Sequence, residues 1–173
     1  CIGLVSLLAL KAMGLSKVYV VDSIEKRLDK ALELGASGTV NFSQEDPVKY
    51  IDEMTAGKGC DLVIETSGSE IAANQAVHMA RKGSCIVMVG YSKIGTINLP
   101  MSLAMDKELR FETVFRYRHI YPMAIEAVAS GKVNLKGIVT DMFDFKDTKE
   151  AMDKNVNDKE NTVKSVIKIS TQS

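Results

Sequence analysis

Apolar positions along the chain switch between a helical and a strand-like period, with short turn signals between them. Ile2 to Met13 carries Val5, Leu8, Ala9 and Ala12 at helical spacing, and Gly14 stands where such a helix stops. Lys17-Val18-Tyr19-Val20-Val21-Asp22 is a short apolar run closed by an acid, the pattern of a strand buried in a parallel sheet. Ser23 is placed to cap a helix through Leu34, with Leu28, Ala31 and Leu32 as its inner stripe and Gly35 beyond its end. Thr39 to Phe42 predicts a shorter strand. Asp46-Pro47 opens a helix to Met54, because proline is tolerated at the first helical position. The alternation then continues through a strand at Asp61 to Glu65, a helix at Ile71 to Ala80 and a strand at Ser84 to Val89, ended by Gly90. Leu109 to Phe115 gives one more strand, and Pro122 to Ala129 a helix closed by Gly131. Strands alternating with helices predict an α/β, doubly wound parallel sheet.

After Gly131 the pattern changes. Val133 to Phe145 reads as irregular or extended, Lys146 to Lys154 as a short amphipathic helix and Val163 to Ile169 as an alternating strand. The expected division is therefore a nucleotide-binding domain over 1–136 and a C-terminal segment over 137–173 that packs elsewhere. Lysines and acids alternate around Lys154 and Lys159, as on a solvated face. Met101 and Met105, spaced i, i+4, read as core or interface packing.

Charge and composition narrow the function classes. Lys+Arg and Asp+Glu are 22 each, so no global basic field draws nucleic acid or an anionic membrane. No apolar run reaches the roughly 18–20 residues of a spanning helix. Cys1, Cys60 and Cys85 have no metal-ligand spacing and are odd in number, which fits a reduced, cytoplasmic setting. His78 in mid-helix reads as a partly exposed structural residue, and nothing marks His119 as a ligand or base.

The opening residues already lie inside an apolar helical run, without Met or a capping residue, as expected of a chain cut within a longer protein. A dinucleotide fold needs strand, G-x-G-x-x-G, helix, and then an acid about 20 residues on. Asp22 lies 19 residues after Gly3, the spacing expected if Gly3 is the third glycine. The first helix's N-terminus would then receive a pyrophosphate. A carboxylate at Asp22 accepts from both ribose hydroxyls and repels a 2′-phosphate, so NAD is the expected cofactor. Arg27 would lie beside the adenine or ribose, or simply on a helix surface.

Several strings together resemble one family. CIGLVSLLALKAMGLSKVYVVDSIEKRLDKALELGAS is similar to the second half of the glycine motif and following βα unit of zinc-containing medium-chain alcohol and polyol dehydrogenases. CDLVIETSGSE and KGSCIVMVGY resemble their fourth and fifth strands, and FETVFRYRHIYPMAIEAVASGKVNLKGIVTDMFDF resembles the sorbitol (L-iditol) dehydrogenase branch. The resemblance covers essentially the whole chain.

It implies a Rossmann-type domain lacking its first strand, with the C-terminal segment returning to a GroES-like catalytic domain. Ile2 and Gly3 would border the pyrophosphate, with Asp22 and Arg27 on the adenosine half. Val89, Gly90 and Tyr91, with Val114, Phe115 and Arg116, would line the nicotinamide side. Arg116 and Tyr117 would face a polyol. The zinc ligands would lie upstream, leaving no catalytic or metal-binding residue in these 173 residues, which alone would be inert. Ile94 to Leu99 would supply an edge strand for a homo-oligomer, and the neighbours of the missing strand would be covered. The implied activity is hydride transfer from a polyol or secondary alcohol to NAD. Alternatives are a related dehydrogenase acting on threonine, a sugar-alcohol phosphate or a simple alcohol, a non-catalytic NAD(H)-sensing module, or a zinc-free reductase.

Overall fold

Short apolar runs become strands and the longer periodic runs become helices. In the computed structural model, which describes residues 1–170, the chain forms α1 (Ile2–Ala12), β1 (Tyr19–Asp22), α2 (Glu25–Glu33), β2 (Gly38–Asn41) and α3 (Pro47–Met54). Then follow β3 (Cys60–Glu65), α4 (Glu70–Met79), β4 (Ala80–Met88), α5 (Met101–Asp106) and β5 (Arg110–Thr113). The remainder is α6 (Tyr121–Ala129), β6 (Asp141–Asp144), α7 (Thr148–Asn157) and β7 (Ser165–Lys168). All strand pairs among the described residues are parallel: β1 with β2, β3–β4–β5, and β6 with β7. The chain divides into two compact units, one of Cys1–Asn41 with the described residues from Pro122 onward, the other of Phe42–Tyr121.

In the first unit α1 buries Leu4, Leu7 and Leu8, while Ala9 and Ala12 face solvent. The expected stripe through Val5, Leu8, Ala9 and Ala12 is thus rotated, because burying leucines removes more apolar area from water than burying alanines. Leu28 and Ala31 of α2 are buried as expected, but Leu32 is exposed. The core joins Leu4, Leu7, Leu8, Val18 and Ala31 to Ile138, which comes from the one-turn 3-10 helix Leu135–Ile138. Val163 packs against the same cluster, so part of the late segment closes on α1 and α2.

Ser23 does not cap α2, whose flanking residue is Ile24 without a side-chain cap. Asp22 instead binds the turn before the helix, its Oδ1 accepting from the N–H of Ser23 at 2.8 Å and of Ile24 at 3.1 Å. The stretch read as irregular or extended contains β6, whose four residues alternate half-buried and exposed. β6, α7 and β7 form a small parallel β-α-β unit. Residues 171–173 of the expected C-terminal segment lie outside the described residues.

In the second unit Asp46 caps α3, accepting from Val48 N–H at 2.9 Å, with Pro47 at the helix start. Strand β4 begins at Ala80 rather than Ser84, because Cys60 pairs with Ala80 before a register shift brings Leu62 opposite Cys85. Helix α5, unforeseen in the pattern, buries Ala104 and leaves Met101 and Met105 exposed. The core comprises Ala76, Val77, Ala80, Ile86 and Ala104, with Val63, Leu103 and Phe111 packed against it. Lys107 follows α5 and ties it to α4: its Nζ donates to the carbonyls of Val77 at 3.0 Å, His78 at 2.7 Å and Ala80 at 2.8 Å. A cation on otherwise orphaned helix-end carbonyls satisfies both their hydrogen bonding and the helix dipole. Burial lowers the Lys107 pKa.

Ile94 to Leu99 is not a strand in this structure. Its polar backbone groups pair inside their own unit instead. Asn98 N–H donates to Glu70 Oε2 at 3.1 Å, Asn74 Nδ2 donates to the Asn98 carbonyl at 2.7 Å, and Ser92 Oγ donates to the Thr96 carbonyl at 3.0 Å. Helix α6 buries none of its residues.

Ile86 is fully buried, so Ile86→Ala should cost about 2–5 kcal/mol of unfolding free energy by urea titration. Asp141 supplies a pH signature. Hydrogen bonds from Lys154 Nζ and Thr140 Oγ1 hold its carboxyl below the ordinary Asp range. A depressed folded pKa stabilises above the unfolded value of about 3.9 and ceases to do so as pH falls through the lower folded value. Amides of β6 and β7 should lose exchange protection over that acid window, and Asp141→Asn should flatten the dependence.

Candidate functional site

Carboxyl ends of parallel strands are where open α/β sheets bind ligands, since backbone turns there present free polar groups. In the first unit that end of β1 carries Asp22. Its Oδ1 is engaged by the two following N–H groups, while Oδ2 stands 3.6 Å from Arg27 Nη1. Asp22 keeps 30% of its side-chain exposure and Arg27 28%, so both remain reachable. Arg27 Nε is buried and has no acceptor among the protein atoms, an unusual state for a guanidinium N–H.

The start of α1 belongs to the same neighbourhood. Arg27 and Asp22 lie close enough for their charges to act at the Cys1 backbone nitrogen. No acid occupies the first turn of α1. The N–H groups opening a helix, here at Ile2 and Gly3, have no intrahelical acceptor. Ile2, Gly3, Asp22 and Arg27 are therefore assembled at one end of this unit, with positive dipole, carboxylate and guanidinium side by side.

In the second unit the ends of β3, β4 and β5 are in register, with Glu65 opposite Met88 and Met88 opposite Thr113. The turn after β4 holds Val89, Gly90 and Tyr91. Val89 N–H donates to the Glu65 carbonyl at 2.8 Å and Gly90 N–H to the same oxygen at 3.0 Å. Val114 N–H donates to the Met88 carbonyl at 3.0 Å, which aligns Val114 with that turn. The expected residues Val89, Gly90, Tyr91 and Val114 thus share one edge. A cleft of about 320 Å³ opens there, lined by Ser67, Gly68, Ser69, Glu70, Ser92, Lys93 and Ile94.

Two glycines make this edge possible. A Cβ on Gly90 would overlap Gly68 N and Glu65 Oε2, and one on Gly68, whose φ is +72°, would overlap the Tyr91 backbone. The two turns therefore touch backbone to backbone. Glu65, which the sequence reading placed only at a strand end, lies at their centre with 4% exposure. Its Oε1 accepts from Ser67 N–H at 2.7 Å, Ser67 Oγ and Gly68 N–H at 3.1 Å, and Oε2 accepts from Gly68 N–H at 3.0 Å. The available signal was an acid ending an apolar strand, followed by Ser and Gly.

Beyond β5 the chain exposes Phe115, Arg116 and Tyr117. The Arg116 guanidinium lies 5.0 Å from the Phe115 ring centroid, and the Tyr117 and Tyr121 rings are 5.3 Å apart. Arg116 at φ 61° and His119 at φ 51° occupy the left-handed region without being glycine, a strained choice that tends to accompany function. No glycine or turn pair in the sequence announces it. His78 is exposed in the last turn of α4 and His119 is exposed in the loop. Burial, then Asp61, raises the Cys60 pKa, which disfavours the thiolate a nucleophile requires. Among the described residues no group of three or more His, Cys, Asp or Glu side chains is placed to hold a metal ion. No described helix is long and apolar enough to cross a membrane.

A family model described as zinc-binding dehydrogenase matches residues 1–130. The chain is 39% identical over 171 residues to the uncharacterized zinc-type alcohol dehydrogenase-like protein YdjJ of Escherichia coli K12, covering 98% of this chain and 48% of that protein. It is 33% identical over 153 residues to sorbitol dehydrogenase of Bacillus subtilis, covering 88% and 43% respectively. Among solved structures, an E. coli oxidoreductase/dehydrogenase of unknown specificity superposes with a TM-score of 0.90 at 38% identity, over 98% of this chain and 48% of its own. A 2R,3R-butanediol dehydrogenase from B. subtilis gives 0.87 at 27% identity, over 98% and 48%. The chain spans about half the length of the curated relatives it matches. With three quarters of its residues matched by the family model and its parallel α/β units shared with these structures, this chain belongs to the zinc-binding dehydrogenase family.

Proposed function

We propose that this chain is the cofactor-binding part of a zinc-dependent oxidoreductase that passes hydride from a polyol or secondary alcohol to NAD. The observation that carries the reading is Asp22, half locked and half open at the end of β1. Oδ1 is fixed by backbone N–H groups, so the side chain is preorganised; Oδ2 stays accessible beside Arg27. Such a carboxylate accepts from paired ribose hydroxyls and disfavours a phosphate at the same place. The Arg27 guanidinium and the N–H groups opening α1 at Ile2 and Gly3 supply donors for an anionic ligand's oxygens. Bound NAD supplies the carbon that accepts hydride.

In the second unit, Val89, Gly90, Tyr91, Val114, Phe115 and Arg116 are assigned to the nicotinamide side. The backbone approach of Gly68 and Gly90 gives that edge a fixed shape. Arg116 and Tyr117 are assigned to the substrate, because a hydrophilic polyol needs several donors and acceptors at once. The same reading assigns the zinc ligands to residues outside this chain. Relatives named sorbitol dehydrogenase and D-xylulose reductase support the polyol class. The same reading takes 1–136 as the cofactor domain and 137–173 as a segment serving the catalytic domain. It makes the enzyme a cytoplasmic homo-oligomer.

The test is titration of the intact protein with NADH and NADPH, followed by intrinsic and cofactor fluorescence. NADH should bind more tightly. Asp22→Ser should weaken NADH about tenfold, equivalent to 1.4 kcal/mol, and narrow its advantage over NADPH; unchanged discrimination would overturn the assignment. Tyr117→Phe keeps the ring against Tyr121 and removes one hydroxyl. It should raise the polyol KM by about threefold to tenfold, the worth of one hydrogen bond, with NAD KM unaltered.

A further inference from the structure

Glu65 is a buried acid that the assignments above do not use. It touches neither the cleft nor a titratable partner; its oxygens are spent on backbone and hydroxyl donors. An apolar residue of similar size would leave the N–H groups of Ser67 and Gly68 without their carboxylate acceptor in a partly buried turn. The same residue works twice. Its side chain gathers the turn from Ser67 to Gly68, and its carbonyl holds the N–H groups of Val89 and Gly90. The side-chain Oε2 also fills the space that a Cβ on Gly90 would need. One residue therefore sets the distance between the turn after β3 and the turn after β4.

We propose that Glu65 is a positioning residue for the nicotinamide-side edge, acting through Gly68 and Gly90 by fixing the turn Val89 to Tyr91 relative to the start of α4. The proposal rests on the cofactor reading above. A carboxylate offers acceptors on both oxygens, whereas glutamine keeps the oxygen serving Ser67 but turns an N–H₂ toward Gly68 N–H, where a donor meets a donor. Alanine removes every acceptor. The order of effects is therefore fixed by chemistry: alanine worst, glutamine intermediate, glutamate best.

The experiment compares the full-length protein with its Glu65→Gln and Glu65→Ala variants by NADH fluorescence titration, NAD and alcohol KM, kcat, and amide hydrogen exchange. Glu65→Ala should weaken NADH by about ten- to a hundredfold, the scale of losing hydrogen bonds to a charged acceptor. Glu65→Gln should recover part of that loss. Exchange should rise at Ser67, Gly68, Val89 and Gly90 while the strand amides of β3, β4 and β5 stay protected, and the NAD KM should move more than the alcohol KM. A purely structural role predicts a different pattern: protection lost across the whole sheet, and NADH affinity unchanged in the molecules that remain folded. That outcome overturns the proposal. Should Glu65→Ala fail to fold, Ser67→Ala removes one donor to the same carboxylate and should reproduce a smaller loss of NADH affinity; unaltered affinity there also overturns it. If the unaltered protein binds NADH and Glu65→Gln binds it equally well, the positioning role falls and the cofactor reading stands. If the unaltered protein binds no NADH, the cofactor reading falls and takes this proposal with it.

Discussion

A parallel strand that ends inside an α/β unit releases backbone N–H groups that must find acceptors before the next helix begins. This chain meets that constraint the same way at β1 and β3. Each strand closes with an acid whose carboxylate bends back to accept from the residues that follow: Asp22 from Ser23 and Ile24, Glu65 from Ser67 and Gly68. Burial separates their roles. Asp22 is partly open and keeps an oxygen to offer, whereas Glu65 is closed over and keeps none. Two acids in equivalent sequence settings thus end in different surroundings, one half-open at the end of its strand and the other an internal brace.

Packing explains why those ends stay where they are. The leucines of α1 and the half-buried strand residues of the first unit lock β1 against α2, with Ile138 and Val163 closing the core. In the second unit the alanines of α4 let the helix lie close over Ile86, and Lys107 pins the end of that helix to the segment leading into β5. Register then delivers Glu65, Met88 and Thr113 to one line. The site residues follow directly from that line.

Most strands and helices were legible because their period was unambiguous. Asp46-Pro47 announced α3, and the apolar runs announced β1, β3 and β5. What escaped had weak local signals. Helix α5 offered only six residues and a single buried alanine. β6 alternates over four residues with an acid at each end. The rotated stripe of α1 depended on which side chains tertiary packing chose, since alanine and leucine score alike as apolar. Asp22 was singled out by its spacing to Gly3. Glu65 was not, because nothing in a sequence tells a strand-end acid that will be covered from one that will stay open.

The loop after β5 holds Arg116 and His119 in a backbone region that most side chains avoid, with cost of order 1–3 kcal/mol each. That choice narrows its evolutionary freedom. A β-branched residue at either place would push the chain into another shape, and glycine would relieve the strain only by letting the loop wander. The neighbours Phe115 and Tyr117, whose backbones carry no such restriction, can exchange side chains without reshaping the loop. The left-handed pair acts as fixed punctuation between letters that can change.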